Sequence, residues 1–142
     1  MSEPAEYVVL DTDVASLALK RRSPAPLLAQ LAGKPVCISF VTYGELTQWA
    51  TIRQWGTQRH ATLNRCLADI PVLPCGKDVA RRWGEISGYA KLRGRPRPQN
   101  DSWIAATCLT YELPLATLNT KDFRDFVEHE GLRLTVGQEP DQ

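Results

Sequence analysis

At 142 residues, the chain has the length of a single domain, 1–142, with one core, and its 43% apolar and 23% charged residues are ordinary for a globular protein. No apolar run approaches the ~20 residues of a membrane span, and Met1-Ser2-Glu3-Pro4-Ala5-Glu6 lacks the basic-then-apolar order of a signal peptide, so a cytoplasmic location without membrane contact is expected. The net charge of +1 excludes neither sign of partner, because the charge is unevenly spread.

Tyr7-Val8-Val9-Leu10 is a short apolar run with two β-branched residues and reads as a buried strand of a parallel sheet. It ends on Asp11-Thr12-Asp13. Asp13 suits the N-cap of a helix to about residue 19, whereas Asp11 ends a buried strand, where an unpaired carboxylate is costly. Ser23-Pro24 opens a second helix to about residue 32. Val36-Cys37-Ile38-Ser39-Phe40 is the second strand. Thr42 and Glu45 match a capping box, so Glu45 is read either as part of a cap or as an acid at the same sheet edge as Asp11. The helix behind it reaches Gly56, and another spans 57–67.

The prolines of Ile70-Pro71-Val72-Leu73-Pro74 suggest an edge strand. Val79, Trp83, Ile86 and Ala90 share one face of a helix over 77–92. Arg93, Arg95 and Arg97 lie in the Gly/Pro loop that follows, ahead of the helix opened by Asn100-Asp101-Ser102. Leu115-Ala116-Thr117-Leu118 is a further strand, and Asn119-Thr120-Lys121-Asp122-Phe123 turns into a short helix. Residues 132–136 form a last strand, and 137–142 a frayed, flexible tail. Strands alternating with helices give an α/β fold, with a mainly parallel central sheet of four to five strands flanked by helices. Of the cysteines, Cys37 and Cys108 fall in apolar patterns as core residues, and none of the four has zinc-ligand spacing.

Asp11, Glu45, Asp101 and Asp122 each follow a strand's carboxyl end or open a helix. A parallel sheet brings those ends to one side. Carboxylates gathered without a lysine or histidine repel one another, and a divalent hard cation relieves that repulsion. Oxygen-only ligands favour Mg²⁺ or Mn²⁺, which would serve hydrolysis of a phosphodiester. Between Lys77 and Arg97 seven basic residues stand against Asp78 and Glu85. A solvated face is the ordinary reading of such a run. Beside an acidic site, however, Arg93, Arg95 and Arg97 suit a polyanion, and RNA-binding is the role expected of them.

Four motifs in order resemble the PIN-domain ribonucleases, specifically the VapC-type toxins of toxin–antitoxin pairs. They are Val9-Leu10-Asp11-Thr12-Asp13-Val14, Ser39-Phe40-Val41-Thr42-Tyr43-Gly44-Glu45-Leu46, Asn100-Asp101-Ser102-Trp103-Ile104-Ala105-Ala106 and Ala116-Thr117-Leu118-Asn119-Thr120-Lys121-Asp122-Phe123. The resemblance covers residues 6–136 and implies a PIN-like domain with Mg²⁺- or Mn²⁺-dependent endoribonuclease activity. It implies a stable RNA such as tRNA or rRNA as substrate, a homodimer, and a small VapB-like antitoxin that blocks the site. By the family pattern, Asp11 and Asp101 are direct metal ligands and Asp122 acts through water. Glu45 positions or deprotonates the attacking water, while Thr117 and Asn119 are polar supports. Asp13 stands where the family more often has Asn or Ser, and is either a fifth acid near the metal or only a cap.

Two other readings compete. Asp11-Thr12-Asp13 also resembles the D-x-D nucleophile motif of haloacid-dehalogenase-type phosphatases. That family's usual Thr or Val is Ala15 here, and its catalytic lysine and late acidic pair have no clear counterpart. The other reading is a non-catalytic domain that binds RNA or an antitoxin. All four acidic positions being filled speaks against it.

Overall fold

The computed structural model describes residues 6–135. In chain order the strands are β1 (Val8–Leu10), β2 (Val36–Ser39), β3 (Val72–Leu73), β4 (Leu115–Ala116) and β5 (Leu134–Thr135). The helices are α1 (Thr12–Leu19), α2 (Ala25–Leu31), α3 (Phe40–Ile52), α4 (Thr57–Ala68), α5 (Lys77–Leu92), α6 (Gln99–Tyr111) and α7 (Thr120–Glu130). All strand pairs are parallel, in the order β3-β2-β1-β4-β5. The proline-flanked β3 lies at one edge, as expected of a segment poor in donors. The expected tail over 137–142, Val136 of the last strand and residues 1–5 lie outside the described residues.

Side-chain alternation along the strands sorts the core into two layers. Val8, Leu10, Ile38 and Ala116 pack with Val14 and Ala15 of α1, Leu27 of α2, Leu46 and Ala50 of α3 and Leu63 and Leu67 of α4. Val9, Cys37 and Leu115 face the other way, onto Val79 and Ile86 of α5, Ile104, Ala105 and Cys108 of α6 and Phe123 and Phe126 of α7. Both faces of the sheet are thus covered. This is why its strands read as unbroken apolar runs. The small side chains of Ala105 and Ala106 are wholly buried and let α6 approach closely. Trp103 stacks on Trp83 of α5 at 4.6 Å between ring centroids, with Phe40 edge-on at 5.6 Å. That cluster fixes the start of α6 against α5 and α3.

β1 has its sequence neighbour β2 on one side and the late strand β4 on the other. The strand order therefore reverses between β1 and β4. In open parallel sheets, ligands gather outside the carboxyl ends at such a point. Asp11 follows β1 and Thr117 follows β4, and the Asp11 N–H donates to the Ala116 carbonyl at 3.1 Å.

Three local expectations are corrected. The N-cap of α1 is Asp11, not Asp13: the helix begins at Thr12, and Asp11 Oδ1 accepts from the Val14 N–H at 2.8 Å. The N-cap of α3 is Ser39, whose Oγ accepts from the Thr42 N–H at 3.2 Å, so Thr42 and Glu45 form no capping box. The turn after Asn119 opens a full helix of 11 residues rather than a short one, with Phe123 and Phe126 forming its inner stripe.

Candidate active site

Each acid is placed by a simple local rule. Asp11 is delivered by the end of β1 and kept there by its capping bond; it is 4% exposed. Glu45 lies about one turn into α3, and freedom from a capping role leaves its carboxylate for other contacts. Thr12 Oγ1 donates to Glu45 Oε1 at 2.5 Å, and Asn100 Nδ2 donates to Oε2 at 2.8 Å. The Thr12 and Thr42 hydroxyls are 3.0 Å apart, which ties the first turns of α1 and α3 together. Both oxygens of Glu45 are thus oriented by neutral donors, one from α1 and one from α6.

Asp101 sits in the first turn of α6, where the helix dipole favours a negative charge. The cap residue there is Pro98, which offers no side-chain bond. Ser102 Oγ donates to the Pro98 carbonyl at 2.9 Å and steadies the turn. Asp101 itself is half-buried, and its carboxylate has no hydrogen-bond partner among the described residues. Burial, and then the negative charges of Asp122, Asp11, Glu45 and Asp13, push its carboxyl up to about 6. Burial also lifts the Asp11 carboxyl to about 6, against the Thr117 side chain and the Val14 N–H; Asp13 and Glu45 add to the rise. Asp101 therefore feels the charge of the four other acids, and Asp11 that of Asp13 and Glu45.

Of the polar supports, Thr117 is fully buried and its Oγ1 accepts from the Asn119 N–H at 2.9 Å. Asn119 Nδ2 donates to Asp13 Oδ2 at 3.0 Å, which joins α1 to the turn before α7. Asp13 is exposed in the first turn of α1, and Asp122 is exposed in the first turn of α7. Asn100 has a direct role at Glu45 that the sequence did not suggest. The only signal for it is its place just before Asp101.

The basic loop divides. Arg97 is removed from the expected RNA-binding set, because its side chain is only 4% exposed. Its Nε donates to Asp125 Oδ2 at 2.8 Å, and its guanidinium lies 4.1 Å from the Phe126 ring centre. Arg97 Nη2 stands 2.9 Å from Glu130 Oε1, an ion-pair contact without hydrogen-bond alignment. Arg93 reaches the same Asp125 at 3.6 Å, while Arg95 is exposed and in no ion pair among the described residues. Desolvation would raise the Asp125 carboxyl, but Arg97, with His129 and Arg93, holds it below the usual carboxylate range. Asp125, Glu128 and His129 bring donor atoms within 4.8 Å of one another on α7. With two arginines already on Asp125, that trio reads as an ion-pair patch.

The family model described as PIN domain matches residues 8–128. The chain belongs to the PIN-domain family. Its relatives within the family include VapC ribonucleases. Ribonuclease VapC5 of Mycobacterium tuberculosis is 34% identical over 120 residues, spanning 82% of this chain and 86% of its own length. Ribonuclease VapC1 of Haemophilus influenzae is 29% identical over 119 residues, spanning 82% of this chain and 89% of its own. Among solved structures, VapBC-1 from nontypeable Haemophilus influenzae superposes with a TM-score of 0.78 at 25% identity, covering 94% of this chain and 99% of that one. This PIN domain therefore has the fold and the motif order that its sequence led one to expect. No helix among the described residues is long and apolar enough to cross a membrane.

Proposed function

We propose that this PIN domain is the toxin of a toxin–antitoxin pair, an endoribonuclease that uses Mg²⁺ or Mn²⁺ to hydrolyse phosphodiester bonds in a stable cytoplasmic RNA, tRNA or rRNA. The observation that carries the reading is the Asp101 carboxylate: half-buried, without a hydrogen-bond partner among the described residues, and with its pKa raised by the charges of Asp122, Asp11, Glu45 and Asp13 as well as by burial. An all-oxygen donor set of that kind fits a hard divalent cation. Asp11, Asp101 and Asp122 are the residues that would hold it. Such a cation, when bound, offsets the charge that builds on a phosphodiester under attack and makes water a better nucleophile.

The chain's own residues supply the rest. Glu45, fixed through both oxygens by Thr12 and Asn100, faces the acid edge as the base that takes a proton from the attacking water. Thr117 holds the turn at Asn119, and Asn119 holds Asp13; together they keep the edge in shape. The VapBC names of its structural relatives support a VapB-like antitoxin as partner, and a homodimer is the working form we propose. PIN membership speaks against the phosphatase alternative. The phosphatase family's catalytic lysine and late acidic pair have no clear counterpart here.

The test is the purified chain incubated with tRNA and rRNA in Mg²⁺ or Mn²⁺. Cleavage leaving 5′-phosphate and 3′-hydroxyl ends is expected. It should disappear in EDTA and in Asp11→Asn and Asp101→Asn. Cleavage that survives EDTA or either substitution would overturn the reading.

A further inference from the structure

We propose that Thr42 and Ser39 are positioning residues for the reaction: their buried hydroxyls, acting through Thr12, hold the Glu45 carboxylate where it takes a proton from water. The proposal rests on the nuclease reading and adds to it two residues that lie beneath the site.

Four oxygens stand in series. Thr42 Oγ1 lies 3.5 Å from Ser39 Oγ and 3.0 Å from Thr12 Oγ1, and Thr12 Oγ1 lies 2.5 Å from Glu45 Oε1. Ser39 and Thr42 are fully buried, and Thr12 is nearly so. A hydroxyl has one proton to give, and a carboxylate acting as a base can only accept. Thr12 therefore donates to Glu45. With that proton spent, Thr42 must donate to Thr12, and Ser39 in turn donates to Thr42. Ser39 Oγ itself accepts from the Thr42 N–H at 3.2 Å, at the start of α3. Every proton in the series thus points toward Glu45, beginning at the positive end of the α3 dipole. Reversing the series would strip the Glu45 carboxylate of its Thr12 donor.

The other helix hydroxyls show what Thr42 gives up. Thr47, Thr51, Thr62, Thr107 and Thr110 each donate to the carbonyl four residues before them, and Ser102 does so from the first turn of α6. That local bond is a ready outlet for a hydroxyl on a helix. The Thr42 hydroxyl is turned across to α1 instead. A valine at so buried a position would fill nearly the same space without enclosing a polar group. The partners of the Thr42 hydroxyl are Ser39 and Thr12, and through Thr12 it reaches Glu45. Hydrogen bonds in series within a low-dielectric interior strengthen one another. With its own oxygen held by Thr42, Thr12 keeps its proton on Glu45, and Glu45 stays fixed relative to α1, whose N-cap is Asp11. A base that drifts from its place costs rate more than binding.

The test is steady-state RNA cleavage in Mg²⁺ or Mn²⁺ by the full chain carrying Thr42→Val, Thr42→Ser, Thr12→Val or the Thr12→Val and Thr42→Val pair, with a thermal melt of each. Thr42→Val should lower kcat about fivefold and leave KM within about twofold of the parent. Thr42→Ser keeps the hydroxyl and should recover most of the loss. Thr12→Val removes the donor to Glu45 itself and should lower kcat about tenfold; adding Thr42→Val to it should cost nothing further. If Thr42→Val unfolds, Thr42→Cys, with only a weak S–H donor, takes its place with the same expected fall in kcat. An unchanged kcat in the folded variant would overturn the proposal. So would a change carried by KM, an equal loss in Thr42→Ser, or losses that multiply in the pair. A parent chain that cuts no RNA fails at the nuclease reading, and the proposal falls with it.

Discussion

Two charged regions lie at either end of the short run from Arg97 to Asp101, and they are built on opposite plans. At Arg97 a buried guanidinium is met by Asp125 and Glu130 and laid over the Phe126 ring. At Asp101 a half-buried carboxylate has acids for neighbours and no donor of its own. The first plan neutralises charge within the chain and anchors the loop that leads into α6. The second leaves charge unneutralised. Such a charge is relieved by taking up a proton or by a positive charge supplied from outside. The same few residues thus contain an internal brace and the site it holds in place.

The largest effect expected from breaking the brace is on stability. Arg97→Met leaves Glu130 without its counter-ion and Asp125 with only Arg93 and His129. Because Asp125 keeps about a third of its exposure, the loss should fall at the lower end for a broken buried pair, about 3 kcal/mol. Thermal melts should show a fall of roughly 10 °C. Arg95→Ala, two residues away and exposed, should stay within about 0.5 kcal/mol of the parent.

At the site, the next effect is kinetic. Asn100→Ala frees one oxygen of Glu45. Losing one hydrogen bond to a charged group at a partly exposed position should lower kcat for RNA cleavage by about tenfold, with KM little changed. Steady-state rates check this, and an unchanged kcat would remove Asn100 from the positioning of Glu45.

The smallest effect is the opposed pH dependence of the two regions. Asp11 and Asp101 rise from 3.8 to about 6 on folding, so the folded chain binds their protons more tightly than the unfolded chain does. Their contribution to stability is present below about pH 4 and is lost as pH rises through about 6. Asp125 has the reverse sign: its pKa is lowered, and its contribution is present above about pH 4 and lost on acidification. In EDTA, Asp101→Asn should therefore flatten the decline between about pH 4 and pH 7 and raise the melting temperature at neutral pH by a few degrees. Addition of Mn²⁺ at neutral pH should stabilise the parent and not the variant.

Much of this plan was legible in the sequence because it is local. The apolar runs of β1 and β2, the helical face of α5 and the position of each acid after a strand end all follow from short-range pattern. The caps differ from the sequence expectation for a local reason too. Several adjacent polar residues could each cap, and the one chosen, Asp11 or Ser39, is set by where the sheet releases the chain. What could not be read was contact across long separations. Arg97 and Asp125 are 28 residues apart, and Asn100 and Glu45 are 55 apart. A basic Gly/Pro loop looks the same in sequence whether its arginines face solvent or fold under a helix. The full length of α7, which carries the partners of Arg97, was the missing piece. Thr12 and Thr42, likewise, come together only once α1 and α3 pack on one face of the sheet.

The most direct test is calorimetric titration of Mn²⁺ into the metal-free chain at neutral pH, beside Asp101→Asn and Arg97→Met. Binding to the parent and to folded Arg97→Met, with loss in Asp101→Asn, is the predicted result. Binding of equal strength to Asp101→Asn, or no binding to the parent, would contradict a cation site at the acidic edge.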